Sequence, residues 1–233
     1  NSHFTLNSIY GIMGTDVRLR SGEMKLLDLY CKAGGAGYGY HQAGFEVVGV
    51  DIEPQPNYPF KFIQADAIEF LKTADLSEYD VIHASPPCQA YSWSARRWHK
   101  EWPDLIDPTR ELLQNTGKPY IIENVVGAPL IDPLVLCGTM FGLKVIRHRL
   151  FESNIKLYAP CKCNHKGTVK NGDYVTVAGH GGDGCAKYSV WCKAMGIDWM
   201  TKEELTQAIP PCYTNFIGEQ LIDYLKADRE KAV

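Results

Sequence analysis

From Lys25 onward the chain alternates short apolar runs with glycine-rich turns and amphipathic stretches. Lys25 to Tyr30 (KLLDLY) predicts a first strand, ending at a stretch that holds Gly34, Gly35, Gly37 and Gly39. A helical stretch through Tyr40 to Ala43 follows, then a second strand over Phe45 to Asp51. Phe60 to Gln64 predicts a short third strand and Ala67 to Thr73 a helix. Tyr79 to Ala84 is a fourth strand, cut off by Ser85-Pro86-Pro87. A helix fits the stretch from Pro108 to Thr116, and Tyr120 to Asn124 is a fifth strand. Short strands alternating with helices predict an α/β fold with a mostly parallel central sheet and helices on both faces. After Phe151 the texture changes. Tyr158 to Lys193 is rich in Gly, Cys, Lys and His, with Tyr174 to Ala178 as its one strand-like run, which predicts a small irregular insert. An amphipathic stretch, Tyr213 to Lys226, closes the pattern.

Composition narrows this picture. Of 233 residues, 45% are hydrophobic and 22% charged, as in a globular core and not a disordered chain. Nothing approaches the ~18 consecutive apolar residues of a membrane-spanning helix, and no secretory pattern opens the chain, so a cytoplasmic protein with no membrane partner is expected. Twenty-four basic against 27 acidic residues give a formal net charge of −3, which disfavours a wholly basic nucleic-acid coat but leaves room for a local basic cleft. The eight cysteines read as reduced thiols. The expected organisation is an expression remnant or loose extension over 1–23, a catalytic core over 24–150, a minimal recognition insert over 151–192, and a closing segment over 193–233.

Parallel sheets place ligands outside the carboxyl ends of their strands. Asp28, Asp51, Asp66, Ser85 to Cys88, and Glu123-Asn124 all fall there. The glycines after Asp28 allow a ligand to approach the backbone, and Asp51 is placed to accept from ribose hydroxyls. The loop lacks G-x-G-x-x-G, which argues against a hydride-transfer cofactor. Cys88, held between two prolines and Gln89, is a poised thiol whose reactivity depends on its thiolate fraction. The bland reading is a structural cysteine in a tight turn. A buried Glu123 is biased toward its protonated form and so is able to donate to a heterocycle nitrogen.

In these residues the chain resembles the DNA (cytosine-5)-methyltransferases, over roughly Lys25 to Leu225. The matching motifs run in family order: D-L-Y-C-K-A-G-G from Asp28, P-P-C-Q from Pro86, E-N-V from Glu123, R-H-R from Arg147, and Q-A-I-P-P from Gln207. The resemblance implies a Rossmann-like class I methyltransferase fold that binds S-adenosyl-L-methionine. The cofactor residues it implies are Tyr30, Cys31, Lys32, Gly34, Gly35, Asp51, Ile52, Asp66, Ala67, Pro87 and Gln207. Tyr30 would lie against the adenine, Asp51 on the ribose and Asp66 on the adenine amino group. It also implies that Cys88 adds to C6 of a flipped-out cytosine in double-stranded DNA while Glu123 donates to N3, with Arg149 and Arg147 holding the base. Gln89, Ser92, Arg96, Arg97 and Lys100, in a basic and aromatic loop, would contact DNA. A monomer is expected.

Several features depart from the pattern. Lys32 stands where the family has glycine, Gln207 where asparagine is common, and the recognition region is very short. Its Cys161, Cys163, His165, Cys185 and Cys192 offer enough ligands for one structural zinc. Their spacing fits no usual C-x₂-C pattern, so free thiols, and no metal, is the reading preferred. Two alternatives stay open: methylation at the exocyclic N4 amine of cytosine, whose turn shares Ser85-Pro86-Pro87, and a non-catalytic cofactor-binding regulator.

Overall fold

The computed structural model describes residues 24–89, 91, 102–178 and 186–231. The expected extension over 1–23 lies outside them. The elements in chain order are β1 (Lys25–Leu29), α1 (Gly35–Ala43), β2 (Glu46–Asp51), β3 (Lys61–Gln64), α2 (Ala67–Thr73), β4 (Val81–Ala84), α3 (Ile106–Asn115), β5 (Tyr120–Asn124), β6 (Leu134–Leu136), a 3₁₀ turn (Gly138–Phe141), β7 (Arg149–Ser153), α4 (Tyr188–Met195), α5 (Lys202–Gln207) and α6 (Pro211–Lys231). They build one seven-stranded sheet in the order β3-β2-β1-β4-β5-β7-β6. The first five strands are parallel, and β7 and β6 run antiparallel at one edge. This is the Rossmann-like α/β fold that the sequence predicts.

Successive β1 residues serve opposite faces, as the pleat requires. Leu26 joins a core with Tyr40 and Phe45 at the α1 side and Tyr213, Ile217 and Leu221 of α6. Leu27 and Leu29 join a second core with Ala67 and Leu71 of α2 and Leu113 of α3. Both faces of the sheet are therefore covered, as parallel strands with apolar residues on either side demand. Each fully buried Leu or Ile contributes roughly 1.5–3 kcal/mol of transfer free energy. A third, smaller core gathers Ala33, Val145, Val177, Trp191, Met195, Met200 and Leu205. It docks α4 and α5 beside the loop after β1.

The sequence predicts the start of α1 too late. Glycines at 35, 37 and 39 lower helix propensity, yet the helix begins at Gly35. Packing explains them: a Cβ at Gly39 would stand 2.1 Å from Pro211 O and from Thr214 Oγ1. Only glycine lets α1 and α6 approach that closely, and Thr214 Oγ1 closes the contact by donating to Ala36 O at 2.8 Å. Two strands also escaped the pattern. β6 is three residues long, and β7 starts inside the R-H-R motif, which reads as chemistry before it reads as a strand. Conversely, the run from Tyr174 to Ala178 forms no strand. It lies along the 144–147 segment through a Val175 N to Lys144 O bond of 2.7 Å and an Arg147 Nη1 to Val177 O bond of 3.0 Å.

The antiparallel edge is locked to α3 by a buried ion pair. Arg110 reaches Glu152 with Nε to Oε1 at 2.7 Å and Nη2 to Oε2 at 2.9 Å. Arg110 also bonds Asp107 and Pro129 O, while Ile131 N donates to Glu152 Oε2 at 2.7 Å.

Candidate active site

Two constellations share the carboxyl ends of the parallel strands. The first lies where the sheet order reverses, between β1 and its neighbours β2 and β4. The loop after β1 carries two non-glycine residues with left-handed backbone, Tyr30 (φ 56) and Lys32 (φ 44), followed by Gly34 at φ 84. Such conformations are disfavoured for residues with a Cβ and persist where surrounding contacts over-determine them. The contacts are visible here. Tyr30 OH bonds Thr109 Oγ1 at 2.9 Å, and Lys32 N donates to Asp51 Oδ2 at 3.1 Å. Glu53 N donates to Asp51 Oδ1 at 3.1 Å, so both oxygens of buried Asp51 already accept a backbone amide.

Lys32 does not extend freely into solvent. Its Nζ pairs with Glu53 Oε2 at 2.9 Å and lies 3.6 Å from Asp51 Oδ1. The pairing holds the Glu53 carboxyl below the usual glutamate range. Glu53 thus adds a carboxylate to the rim that the sequence reading missed. The signal was its place two residues beyond Asp51, at the same strand end.

Below the loop, on β1 itself, Asp28 is fully buried. Tyr58 OH donates to its Oδ2 at 3.2 Å, while Oδ1 has no partner among the described residues. A Cβ at Gly37 would meet Asp28 Oδ2 at 2.8 Å, which is why that helical position must be glycine. Burial pushes the Asp28 carboxyl up to about 7.

The other predicted cofactor residues sit around this loop. Cys31 is buried, and its thiol is pushed far up by desolvation, which makes it inert. Gly35 opens α1, Ala67 opens α2, and Asp66 caps α2 by accepting from Glu69 N at 2.9 Å. Ile52 stands 62% exposed beside Asp51, an apolar surface next to a carboxylate. Pro87 is half-buried in the turn after β4, and Gln207 ends α5 with an exposed side chain.

The second constellation joins the ends of β4, β5 and β7. Asn124 Nδ2 donates to Pro86 O at 2.9 Å, which ties the E-N-V strand end to the P-P-C turn. Glu123, buried on β5, meets Arg149 of β7 with Nε 2.9 Å from Oε1. Burial raises the Glu123 carboxyl above the usual range, opposed by the Arg149 charge and by a bond from the Ser85 hydroxyl. Cys88 lies within the field of Arg149, Glu123 and Arg147. Burial raises its thiol and outweighs the arginine attraction, so the free protein holds Cys88 protonated. The expected arginine activation of the thiol is present but is not the larger effect.

Arg147 differs from Arg149. Its Nη1 and Nη2 donate to Val177 O and Thr206 O, at 3.0 and 2.6 Å, and Tyr213 OH donates to its carbonyl at 2.7 Å. These bonds make it a tie between the insert, α5 and α6. Burial works against its charge.

Sequence reasoning also missed His83. Tyr40 OH bonds its Nδ1 at 2.9 Å, and its Nε2 bonds Ser85 Oγ at 2.9 Å. Burial lowers the ring to about 3, so it is neutral. A neutral chain of buried Tyr40 and His83 and half-buried Ser85 thus reaches Glu123 and orients its carboxyl. In the sequence His83 is one polar residue inside an apolar strand run, which was the available signal. Gln89 is half-buried with Oε1 lacking a partner among the described residues. The predicted DNA contacts Ser92, Arg96, Arg97 and Lys100 lie outside the described residues.

Among the weighed zinc ligands, Cys161 directs its sulfur toward Met140 O at 3.9 Å, and Cys192 sits half-buried on α4. Cys185 lies outside the described residues. Cys163 and His165 approach neither of those sulfurs in a ligand group; their partners are His148 and Cys137.

Comparison with known proteins finds similarity over the same part of the chain. Residues 24–129 match the family model described as C-5 cytosine-specific DNA methylase. The Type II methyltransferase M.AgeI of Thalassovita gelatinovora is 32% identical over 121 residues, covering 45% of this chain and 28% of that protein. The chain's matches span 22% to 50% of the length of such curated relatives. Among solved structures, an E. coli prophage-encoded protein described as a DNA modification methyltransferase superposes with a TM-score of 0.60 at 14% identity. It covers 87% of this chain and 99% of its own. The Dnmt2 methyltransferase of S. pombe gives 0.57 at 14% identity, with the same coverages.

Proposed function

We infer, for a chain whose residues 24–129 match the C-5 cytosine-specific DNA methylase model, that it transfers a methyl group from S-adenosyl-L-methionine to C5 of cytosine in DNA. The observation that carries this reading is the junction of three strand ends. It puts a thiol, a buried carboxyl and a guanidinium around one space, through Asn124 to Pro86 and Arg149 to Glu123.

The loop after β1 fits the cofactor: a buried carboxylate at Asp51, an exposed apolar face at Ile52, and a backbone opened by three left-handed residues. Tyr30, Asp51, Asp66 and the Gly34-Gly35 turn would hold it, with Glu53 and Lys32 at the rim. Bound there, S-adenosylmethionine supplies an electrophilic methyl on a sulfonium.

The protein must make C5 nucleophilic. Cys88 gives its proton to solvent water as substrate fills the site, and its sulfur bonds to C6. Glu123, whose protonated form burial favours, delivers its proton to N3, so the ring electrons collect at C5 rather than as a full negative charge. Arg149 holds Glu123 and offers its remaining N–H groups toward the base oxygen. After C5 takes the methyl, it releases its proton to solvent water. The C6–sulfur bond then breaks, N3 returns its proton to Glu123, and aromaticity is restored. A stacked base cannot reach Cys88, so the substrate is a cytosine flipped out of double-stranded DNA, bound by a monomer. Arg147 acts as a positioning residue through its carbonyl ties.

Nucleoside digestion of DNA treated with the protein and labelled S-adenosylmethionine tests the assignment. The label should elute wholly as 5-methylcytosine. Label in N4-methylcytosine would transfer the site to the exocyclic-amine class, which shares Ser85-Pro86-Pro87.

A further inference from the structure

We propose that Cys137, His148 and His165, completed by Cys163, bind one zinc ion that fastens the insert to the catalytic core. One ligand atom from each of Cys137, His148 and His165 lies within 4.8 Å of the others. Cys137 Sγ stands 3.4 Å from His165 Nε2, and Cys163 Sγ stands 3.7 Å from His148 Nε2. Zinc bonds of about 2.3 Å to sulfur and about 2.0–2.1 Å to nitrogen, at a tetrahedral angle, put S and N roughly 3.6 Å apart. The two observed separations bracket that edge. The imidazole rings lie 5.0 Å apart at 70°, so their nitrogens converge without stacking. Cys163 lies outside that group of three but touches His148 and shares a loop with His165, two residues away.

The need for such a bond is visible in the insert. Nearly every residue from 158 to 173 is exposed, and none belongs to a helix or strand. A segment with so little apolar burial cannot hold one conformation by its own core and needs a staple. The ligands are divided accordingly. Cys137, fully buried, precedes the 3₁₀ turn, and His148 stands between the paired arginines, whereas Cys163 and His165 belong to the insert. One ion would therefore fix the insert to the core and immobilise the backbone that carries Arg147 and Arg149.

The chemistry balances. Two thiols lose their protons to solvent, two neutral imidazoles offer lone pairs, and the dithiolate cancels the charge of the ion. The finished site adds no positive charge beside Arg147 and Arg149. Sulfur with imidazole selects zinc over magnesium or calcium. Cys161 and Cys192 take no part.

Metal analysis of the purified full chain tests the proposal, together with replacement by cobalt(II). One zinc per chain is expected. The cobalt form should show thiolate charge-transfer absorption and the intense visible bands of tetrahedral coordination. H165A, an exposed position whose loss leaves the core intact, should abolish stoichiometric zinc, and C137S should do the same. C163S should weaken zinc by more than the roughly 10–100-fold typical of an outer-shell partner. The proposal is overturned if the folded wild-type chain takes up neither zinc nor cobalt. It is equally overturned if H165A and C137S both retain zinc at wild-type affinity. Unchanged affinity in C163S would remove Cys163 as the fourth ligand.

Discussion

The strand-end site and the insert beside it are built on opposite principles. Glu123, Asn124 and Asp51 are fixed several times over, by the β5–β7 and β2–β3 ladders, by burial on both faces of the sheet, and by bonds such as Asn124 to Pro86. Residues 158–173 have almost no buried apolar surface, and their order rests on local polar contacts such as Thr168 N to Asp173 Oδ2 at 2.9 Å. The difference teaches where reactivity and variation can each reside. Groups that must meet within a fraction of an ångström stand on the over-determined part. A surface that can change without disturbing them is carried by the part that is hardly determined at all.

The sharpest break in this comparison is C88S. Methyl transfer should fall by roughly 10⁴-fold or more, as when other enzymes lose a nucleophile, while the thermal midpoint and S-adenosylmethionine binding stay near wild type. A midpoint that falls sharply would make Cys88 a structural turn residue instead. Next is E152A, at the edge between the two regions. It leaves Arg110 buried without its main partner and should cost about 3–5 kcal/mol in equilibrium unfolding. A loss under 1 kcal/mol would mean that the edge is not tied to α3 as described.

A pH series sharpens the account of the rigid part. Asp28 has its carboxyl raised by burial from 3.8 to about 7. Between those values the folded protein keeps a proton that the unfolded chain has released. Its stability therefore falls as pH rises through that window, by up to about 1.4 kcal/mol per pH unit. D28N, which cannot ionise, should flatten the decline between pH 5 and pH 7 in thermal melts; an unchanged slope would remove Asp28 as its source. The smallest effect is expected in the insert. D173A breaks an exposed bond to Thr168 N and should change global stability by less than about 1 kcal/mol. A larger loss would show that the insert folds cooperatively with the core.

The same contrast governs what could be read from the sequence. Apolar runs ending in Asp51, Cys88 and Glu123 were legible because a buried parallel strand imposes a simple pattern, and five of the seven strands appeared that way. β6 did not, because a three-residue edge strand is too short to leave one, and β7 did not, because Arg149 and Glu152 break the apolar run although its middle is buried. His83 hid as a single polar residue in an apolar run, since its role depends on Tyr40 and Ser85 meeting it in space. The weighed zinc cluster grouped cysteines by nearness in sequence, whereas the structure sets Cys163 and His165 beside Cys137 and His148. His148 was read only as the middle of R-H-R. Side-chain partnerships across long separations carry no periodic signal.

The central claim is that the Cys88 sulfur bonds covalently to the base whose C5 receives the methyl. Intact-mass analysis of the protein mixed with S-adenosylmethionine and duplex DNA containing 5-fluorocytosine tests it directly, because fluorine at C5 blocks the final elimination. The account predicts a stable protein–DNA adduct that is absent from C88A. Methyl transfer to ordinary DNA with no adduct, or an adduct that persists in C88A, would contradict it.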